Sequence, residues 1–221
     1  MIEYITATNI DDRVLSRASR ILEEGGIVGL PSDTSWLAVC SSASRDGLKK
    51  LRRISGERDE RHFTLLCSGI SQFGEFCGLD NTRFRLIKRL SPGPYVFILK
   101  TLPGTERALT LRRGEIGVRI PSHPVPLALI RSLGSPLYSI TAKRSMETGN
   151  ASENETEADG EELPPIPEEE LFEGGWELEA VEGLDLILDS GDERPRVFST
   201  ILDLIGDGVK PLRLGAGLWP V

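Results

Sequence analysis

Residues 25–40, GGIVGLPSDTSWLAVC, constrain the fold most, because two apolar runs meet there at one sharp polar turn. The run at residues 27–30 predicts a strand, and Pro31 ends it because proline has no N–H for a sheet ladder. Ser32, Asp33 and Thr34 form the turn, and a second apolar run begins at Trp36. Short polar side chains at the end of a strand can hold a small ligand, but surface turns favour the same residue types. The stretch therefore predicts a strand, a turn and a strand, and a site only with further evidence.

Helix-like and strand-like segments alternate along most of the chain. Apolar spacing and end signals predict helices at residues 11–24, 43–54, 71–77, 81–90 and 125–133, with Asp80 capping the fourth. Apolar runs predict strands at residues 27–30, 36–39, 63–67, 95–100, 116–120, 137–142, 184–188 and 198–205. The alternation predicts a single α/β (α+β) domain with a twisted sheet of mixed direction. We expect the turns at residues 31–34 and 139–143 to line one cleft.

Composition narrows the class of protein. The 221 residues are 39% hydrophobic and 27% charged, which is typical of a globular domain with a proper core. The amino terminus has no long apolar run, so we expect no membrane span and a cytoplasmic protein. Three cysteines without CxxC spacing indicate reduced structural thiols, and only two histidines argue against a metal site.

The net charge of −8 averages two unlike parts of the chain. Residues 145–182 hold 14 acidic and no basic residues, whereas residues 1–144 carry a net charge of +8. Within the acidic part we expect residues 146–165 to be a flexible insertion into a domain that spans residues 11–217. A basic body of this kind can bind polyanions.

Five short motifs are spread in order along the chain. They are Pro31-Ser32-Asp33-Thr34, Ser91-Pro92-Gly93-Pro94-Tyr95-Val96-Phe97, Val118-Arg119-Ile120-Pro121 with His123 and Pro124, Ser199-Thr200-Ile201-Leu202-Asp203, and Arg213-Leu214-Gly215. Together they resemble the YrdC family, the threonylcarbamoyl-AMP synthases of tRNA modification. His62-Phe63-Thr64-Leu65-Leu66-Cys67 and residues 80–100 are most similar to the YciO branch of that family.

The resemblance implies a YrdC/RibB-like fold and a defined reaction. In that reaction L-threonine and bicarbonate form a carbamate, which attacks the α-phosphate of ATP and expels pyrophosphate, in the pathway to threonylcarbamoyladenosine in tRNA. ATP would be a substrate, with Mg²⁺, and RNA, either tRNA or double-stranded, would be a second class of ligand.

Such a reaction needs positioned cations and hydroxyl groups rather than a nucleophile. The nucleotide-binding candidates are the cations Arg119, Lys50, Arg58, Lys143 and Arg213 and the hydroxyl residues Ser139, Thr141 and Ser199. Thr34 and Ser32 are the amino-acid-binding candidates, and no catalytic residue or metal ligand is assigned. We expect Asp33 to accept hydrogen bonds from nearby backbone N–H groups, and His123 to be a turn residue.

Two positions depart from the family pattern. The Lys-x-Arg motif falls near Ser55-Gly56-Glu57-Arg58, which lacks the lysine, and the Ser-x-Asn motif reads Ser139 to Lys143 with a cation where an amide is expected. Three interpretations therefore stay open. The chain is a synthase, an RNA-binding module, or a regulatory paralogue that keeps the pocket without the chemistry.

Deleting residues 148–163 tests the interpretation of the insertion. Because these residues have little apolar surface to offset the entropy of ordering, the melting temperature should stay nearly unchanged. The deletion removes six acidic charges, so RNA binding should become stronger. Thermal unfolding and an RNA titration at fixed salt measure both effects, and a large loss of stability would show that the segment packs against the domain.

Overall fold

A computed structural model describes residues 1–56, 63–105, 109, 114–146 and 167–219. Ten strands are formed in this part of the chain: β1 (Ile2–Tyr4), β2 (Val28–Pro31), β3 (Trp36–Ser41), β4 (Thr64–Leu66), β5 (Tyr95–Lys100), β6 (Glu115–Arg119), β7 (Leu137–Thr141), β8 (Leu186–Asp189), β9 (Thr200–Asp203) and β10 (Lys210–Arg213). The α-helices are α1 (Asp12–Glu23), α2 (Arg45–Ser55), α3 (Ile70–Gly74), α4 (Asn81–Leu90) and α5 (Pro124–Leu133). Short 3-10 helices form at Arg144–Met146, Glu168–Glu170 and Gly175–Ala180.

All ten strands belong to one sheet, in the order β1-β8-β2-β3-β7-β4-β6-β5-β9-β10. Strands β1 and β8, β2 and β8, β4 and β6, and β5 and β9 pair in parallel, and the other neighbouring pairs are antiparallel. The predicted single domain with a sheet of mixed direction is confirmed. The backbone N–H of Ala142 also donates to the carbonyl of Trp36 at 2.9 Å, so the end of β7 lies directly beside the turn that joins β2 and β3. The two turns expected to line one cleft are therefore neighbours.

Alternating side chains divide the sheet into two faces, which we call front and back. The front face is defined by Leu37, Val39 and Leu137, and α1 and α5 pack on it through Leu22 and Leu129. This packing covers the part of the front face formed by β8, β2, β3 and β7.

The back face is defined by Trp36, Ala38 and Tyr138, which belong to the larger core cluster. Helices α2, α3 and α4 contribute Leu51, Phe73 and Ile87 to this cluster, and the 3-10 helix Gly175–Ala180 contributes Leu178. The back face is thus covered along most of the sheet.

Capping side chains fix where the helices begin. Asp11, Ser44 and Asp80 each accept a hydrogen bond from a backbone N–H in the first turn of α1, α2 and α4, at 2.7–3.0 Å. Short side-chain oxygens satisfy the unpaired N–H groups at a helix start, and the predicted cap at Asp80 is confirmed.

The edge strands β1 and β10 are not among the predicted elements. Each has at most four residues, and none of these residues is fully buried, so neither strand leaves a strong apolar pattern in the sequence. Of the predicted insertion, Met146 is buried against the back core, and residues 147–165 lie outside the described residues. No helix in the described ranges is long and apolar enough to cross a membrane.

The carboxyl-terminal segment packs tightly against the residues that precede β9, and Gly215 makes this approach possible. A Cβ atom at Gly215 would lie 2.2 Å from the carbonyl oxygen of Phe198 and 2.8 Å from the carbonyl carbon of Ser199. These are backbone atoms, which cannot rotate away as a side chain can.

Gly215→Ala should therefore lower the free energy of unfolding by about 1–3 kcal/mol, the usual cost of overpacking. Gly208→Ala is the matched control, because Gly208 has no heavy atom within 4 Å of its Cβ position. Urea unfolding of both variants measures the difference, and equal stabilities would mean that the segment at Gly215 can shift without cost.

Candidate functional site

The turn between β2 and β3 is held in shape by the buried hydroxyl group of Ser32. This hydroxyl donates to the carbonyl of Ser35 at 2.7 Å and accepts from the backbone N–H groups of Thr34 and Ser35, both at 3.2 Å. Its oxygen also lies 3.1 Å from Oγ1 of Thr34. Because the single proton of Ser32 is used in the bond to Ser35, Thr34 is the donor in that last contact. Ser32 therefore fixes the turn and orients Thr34.

Arg119, the last residue of β6, connects this turn with two distant parts of the chain. Its Nη1 donates to Thr34 Oγ1 at 3.2 Å and to Ser199 Oγ at 2.6 Å, and its Nε donates to the carbonyl of Gly93 at 3.3 Å. Its Nη2 donates to Oδ1 of Asp33 at 2.7 Å. Four of the five motifs that we noted in the sequence thus meet at one guanidinium group.

Burial and the neighbouring charge have opposite effects on the pKa of Arg119. The Arg119 side chain is 3% exposed, and burial lowers its pKa, whereas the carboxylate of Asp33 raises it. Arginine stays charged in proteins, so the two side chains form a buried ion pair. The prediction that Asp33 accepts from nearby backbone N–H groups is wrong, since the guanidinium of a residue 86 positions away takes that place.

Arg213 extends the cluster beyond Ser199. Its Nε donates to the backbone carbonyl of Ser199 at 3.2 Å, and its guanidinium lies over the ring of Phe198, 4.7 Å from the centroid. Ser32, Thr34, Arg119, Ser199 and Arg213 are therefore brought together by one continuous set of hydrogen bonds. We call these five residues, with Asp33, the Arg119 cluster.

The front face beside this cluster is not covered by any described helix. A Cβ atom at Gly117 would lie 3.2 Å from Val96, 3.4 Å from Ile98 and 3.7 Å from Thr64, which places these four residues side by side on the front of β4, β5 and β6. Helices α1 and α5 pack on the other half of the same face. This half of the front face, which carries no described helix, forms the candidate site together with the Arg119 cluster.

Two hydroxyl candidates lie on β7. Ser139 is 3% exposed and donates to the carbonyl of Thr64 at 3.0 Å, so its proton is already used. Thr141 is half-buried at the end of the strand and has the same front orientation as Ser139.

Two of the remaining candidate cations, Lys143 and Lys50, form no hydrogen bond with the Arg119 cluster among the described contacts. Lys143 is half-buried just beyond β7 and forms an isolated bridge with Leu171. Lys50 is half-buried on α2, whose apolar side packs on the back face. Arg58 lies outside the described residues.

His123 is the amino-terminal cap of α5, in agreement with its predicted place in a turn. Its Nδ1 accepts from the backbone N–H of Val125 at 3.3 Å, which leaves the proton of the neutral ring on Nε2. Burial, and to a smaller extent the positive charge of Arg194, lowers the pKa of His123 from its ordinary value to about 4. The carboxylates of Asp33 and Asp192 act in the opposite direction. His123 is therefore neutral near pH 7.

Two features of the site were missed in the sequence. Gly93 takes part through its backbone carbonyl, which has no side-chain signal. Arg194 stands among charged residues in the sequence, and only the fold places it near His123. Within the described ranges, no group of three or more His, Cys, Asp or Glu side chains could hold a metal ion.

The fold and this site define a class of protein, an α/β domain whose mixed sheet carries a buried polar cluster beside a part of its front face that no described helix covers. The model of the Sua5/YciO/YrdC domain, described as "Telomere recombination", matches residues 20–164. The chain therefore belongs to the Sua5/YciO/YrdC family, and the predicted membership is confirmed.

Three relatives show how far the similarity extends. The uncharacterized protein YciO of Escherichia coli K12 is 31% identical over 217 residues, which are 97% of this chain and 95% of YciO. The crystal structure of E. coli YciO has a TM-score of 0.79 at 27% identity and covers 100% of this chain and 98% of that one. A threonylcarbamoyl-AMP synthase of Xanthomonas axonopodis pv. citri is 28% identical over 136 residues, 60% of this chain and 73% of the relative. P. abyssi Sua5 complexed with L-threonine shares the fold, with a TM-score of 0.77 at 21% identity over 97% of this chain and 57% of that chain.

Replacing Arg119 by lysine tests the importance of the cluster for ligand binding. Arg119→Lys keeps the charge but loses the planar fork that reaches Asp33, Thr34 and Ser199 together. Nucleotide binding should weaken by about 1–3 kcal/mol. Lys49→Ala removes an exposed cation of α2 and should have a much smaller effect. Titrations at one salt concentration compare the two variants, and equal losses would mean that the basic residues act only as a diffuse field.

The pKa of His123 predicts a pH-dependent stability. Because the folded pKa of about 4 lies below the ordinary value of 6.5, the unfolded chain binds the proton more tightly between these values. The stabilisation is complete above about pH 6.5 and is lost as the pH falls towards 4. His123→Asn keeps a capping side chain without the imidazole, so its stability should fall less over this range. Urea unfolding at several pH values measures the difference, with His62→Gln as the control for the other histidine.

Proposed function

We propose that this protein binds ATP and L-threonine in the candidate site and, with bicarbonate, forms L-threonylcarbamoyladenylate and pyrophosphate. The observation that carries the proposal is the Arg119 cluster, in which motifs from four parts of the chain meet at one guanidinium group. The threonylcarbamoyl-AMP synthase relatives support the reaction class, and the Sua5 complex supports L-threonine as a ligand.

The hydrogen-bonding groups of Ser199 and Thr34 that Arg119 leaves unused suit a phosphate and an amino acid, respectively. Ser199 Oγ accepts from Arg119 and keeps its own proton, which it can donate to a phosphate oxygen. Arg213, next to Ser199, adds a positive charge where a phosphate would lie. Thr34 Oγ1 accepts from Arg119 and donates to Ser32, so one lone pair remains for an N–H group of an amino acid. The role of Arg119 is then to hold Ser199 and Thr34 in position for these two ligands.

The reaction needs positioning more than covalent catalysis. The amine of L-threonine forms a C–N bond to bicarbonate with loss of water, and a carbamate oxygen then attacks the α-phosphorus of ATP. The bond from that phosphorus to the bridging oxygen breaks, and pyrophosphate leaves with the electron pair. Fixed cations and hydroxyl donors stabilise the charge on the leaving group. We assign Mg²⁺ to the substrate, as the complex with the ATP phosphates, because the described residues offer no cage for it.

Pyrophosphate release tests this proposal directly. The purified protein is incubated with radiolabelled ATP and Mg²⁺, with and without L-threonine and bicarbonate, and products are separated by thin-layer chromatography. Pyrophosphate and an AMP-linked product should appear only when both co-substrates are present. Ser199→Ala removes the free hydroxyl and should reduce the rate by about 10-fold or more, whereas Ser71→Ala on α3 should not. ATP hydrolysis at a rate that does not depend on L-threonine would contradict the proposal.

A second candidate function is RNA binding without synthase chemistry. It is favoured by the positive charge of residues 1–144 and by Lys143, which occupies the position where the family pattern has an amide. In that case ATP and double-stranded RNA should bind in titrations while pyrophosphate release stays at background. RNA affinity should then fall steeply with salt, since phosphate contacts release counterions.

A further inference from the structure

The motif at residues 199–203 contains two side chains that the proposed function does not use. Ser199 belongs to the Arg119 cluster, whereas Ile201 and Asp203 have no contact with it among the described hydrogen bonds. Both are half-buried, while Leu202 between them is fully buried and belongs to the back core. Because side chains alternate along a strand, Ile201 and Asp203 lie on the front face of β9.

Strand pairing determines which residues lie beside these two side chains. Val96 of β5 is opposite Ile201, and Ile98 of β5 is opposite Asp203. On the other side of β5, Ile98 is opposite Gly117 of β6. Opposite residues on adjacent strands have their side chains side by side on one face. Val96, Ile98 and Ile201, with Gly117, therefore form a continuous apolar surface, which we call the apolar floor, and Asp203 lies at its edge.

The apolar floor keeps accessible surface although it lies well inside the sheet. Strand β5 is eighth in the order of ten strands, and its back residues Phe97 and Leu99 are fully buried. Ile98 between them is only half-buried, and so is Ile201 on β9. No described helix packs on this part of the front face. Apolar side chains with remaining exposure suit contact with the flat face of an aromatic ligand.

The apolar floor starts at the Arg119 cluster and leads away from it. Ser199 directly precedes β9 and Asp203 ends it, so the two residues are roughly 13 Å apart along an extended strand. Arg213 of β10 is opposite Ile201 and donates to the carbonyl of Ser199. An adenosine 5′-phosphate spans a comparable length. A nucleotide with a phosphate at Ser199 and Arg213 would therefore place its base on the apolar floor and the outer edge of the base at Asp203.

Asp203 has one carboxylate oxygen available for a ligand. Its Oδ1 accepts from the backbone N–H of Ile205 at 2.8 Å, and no hydrogen bond among the described residues ends on Oδ2. Lys210 of β10 is opposite Asp203 and is exposed, so a positive charge also lies at this edge. An ionised carboxylate only accepts hydrogen bonds, so the remaining oxygen selects a donor on the ligand.

We propose that the apolar floor binds the purine base of ATP and that Oδ2 of Asp203 accepts from its 6-amino group. This assignment rests on the proposed function and makes Asp203 a specificity-determining residue. Hypoxanthine and guanine carry an oxygen in place of the 6-amino group, and a carboxylate repels it. Guanine also has two adjacent N–H donors, which pair best with both oxygens of a carboxylate, but Oδ1 of Asp203 is already used.

Nucleotide analogues and variants test the assignment together. Calorimetric titrations at fixed salt and Mg²⁺ measure ATP, inosine triphosphate, GTP and purine riboside triphosphate, which lacks the 6-amino group. Asp203→Asn keeps an oxygen for the N–H of Ile205 and presents an NH₂ group to the base. Asp207→Asn is the matched control, because Asp207 is exposed in the turn that follows β9. Ile201→Thr tests the apolar floor separately, and thermal unfolding shows that each variant is folded.

We expect the wild-type chain to bind ATP about 10-fold or more tightly than inosine triphosphate or purine riboside triphosphate, the effect of one hydrogen bond to a charged group. Asp203→Asn should lower the ratio of ATP affinity to inosine triphosphate affinity by about 10- to 100-fold, because its amide donates to the 6-oxygen. Ile201→Thr should weaken both nucleotides alike and leave their ratio unchanged. Asp207→Asn should stay within about twofold of the wild-type chain for every nucleotide.

Equal binding of ATP and purine riboside triphosphate by the wild-type chain would overturn the assignment and leave the proposed function intact. An unchanged affinity ratio in Asp203→Asn, or tighter binding of GTP than of ATP, would overturn it as well. Discrimination among the nucleotides without pyrophosphate release would support the base assignment and contradict only the synthase reaction. If the wild-type chain binds none of these nucleotides, both the proposed function and this assignment fail.

Discussion

The hydrogen-bonded guanidinium of Arg119 is the interaction on which the candidate site depends. Its contacts join the turn after β2, the carbonyl of Gly93 and the residue before β9, which lie 26 to 86 positions from Arg119 in the chain. Removing one partner of a buried ion pair leaves an uncompensated charge, which typically costs about 3–5 kcal/mol. The desolvation free energy of Arg119 and Asp33 is therefore offset only while all of these segments stay in place. Site geometry and local stability are linked through one side chain.

The distribution of helices over the sheet determines where the candidate site lies. The back face is covered along most of its width, whereas α1 and α5 cover only part of the front face. The strands β4, β5 and β6 consequently have front residues without a helix above them in the described structure. Gly117, which lies among these residues, adds no side chain to this surface.

The cations of the site differ in their roles, which the motifs alone do not show. Arg119 uses four hydrogen bonds within the protein, so its main effect is to position Thr34 and Ser199. Arg213, from another segment, lies beside Ser199 and adds a second positive charge to the cluster.

The sequence by itself determined the type and order of most elements and the family. Alternating apolar residues in β3 and the caps at Asp11, Ser44 and Asp80 are local signals, because they depend on neighbouring residues and on backbone geometry. The motifs also singled out Thr34, Arg119, Ser199 and Arg213, which the fold brings together.

Only the tertiary structure decided what these residues do to one another. The partner of Asp33 lies 86 positions away, and Lys50 lies on a helix that packs on the opposite face from Arg119. Arg194 has no motif around it, and only the fold brings its charge near His123. Local sequence determines on which side of a strand or helix a residue lies. The distance between two residues on different elements depends on the pairing and packing of the whole sheet.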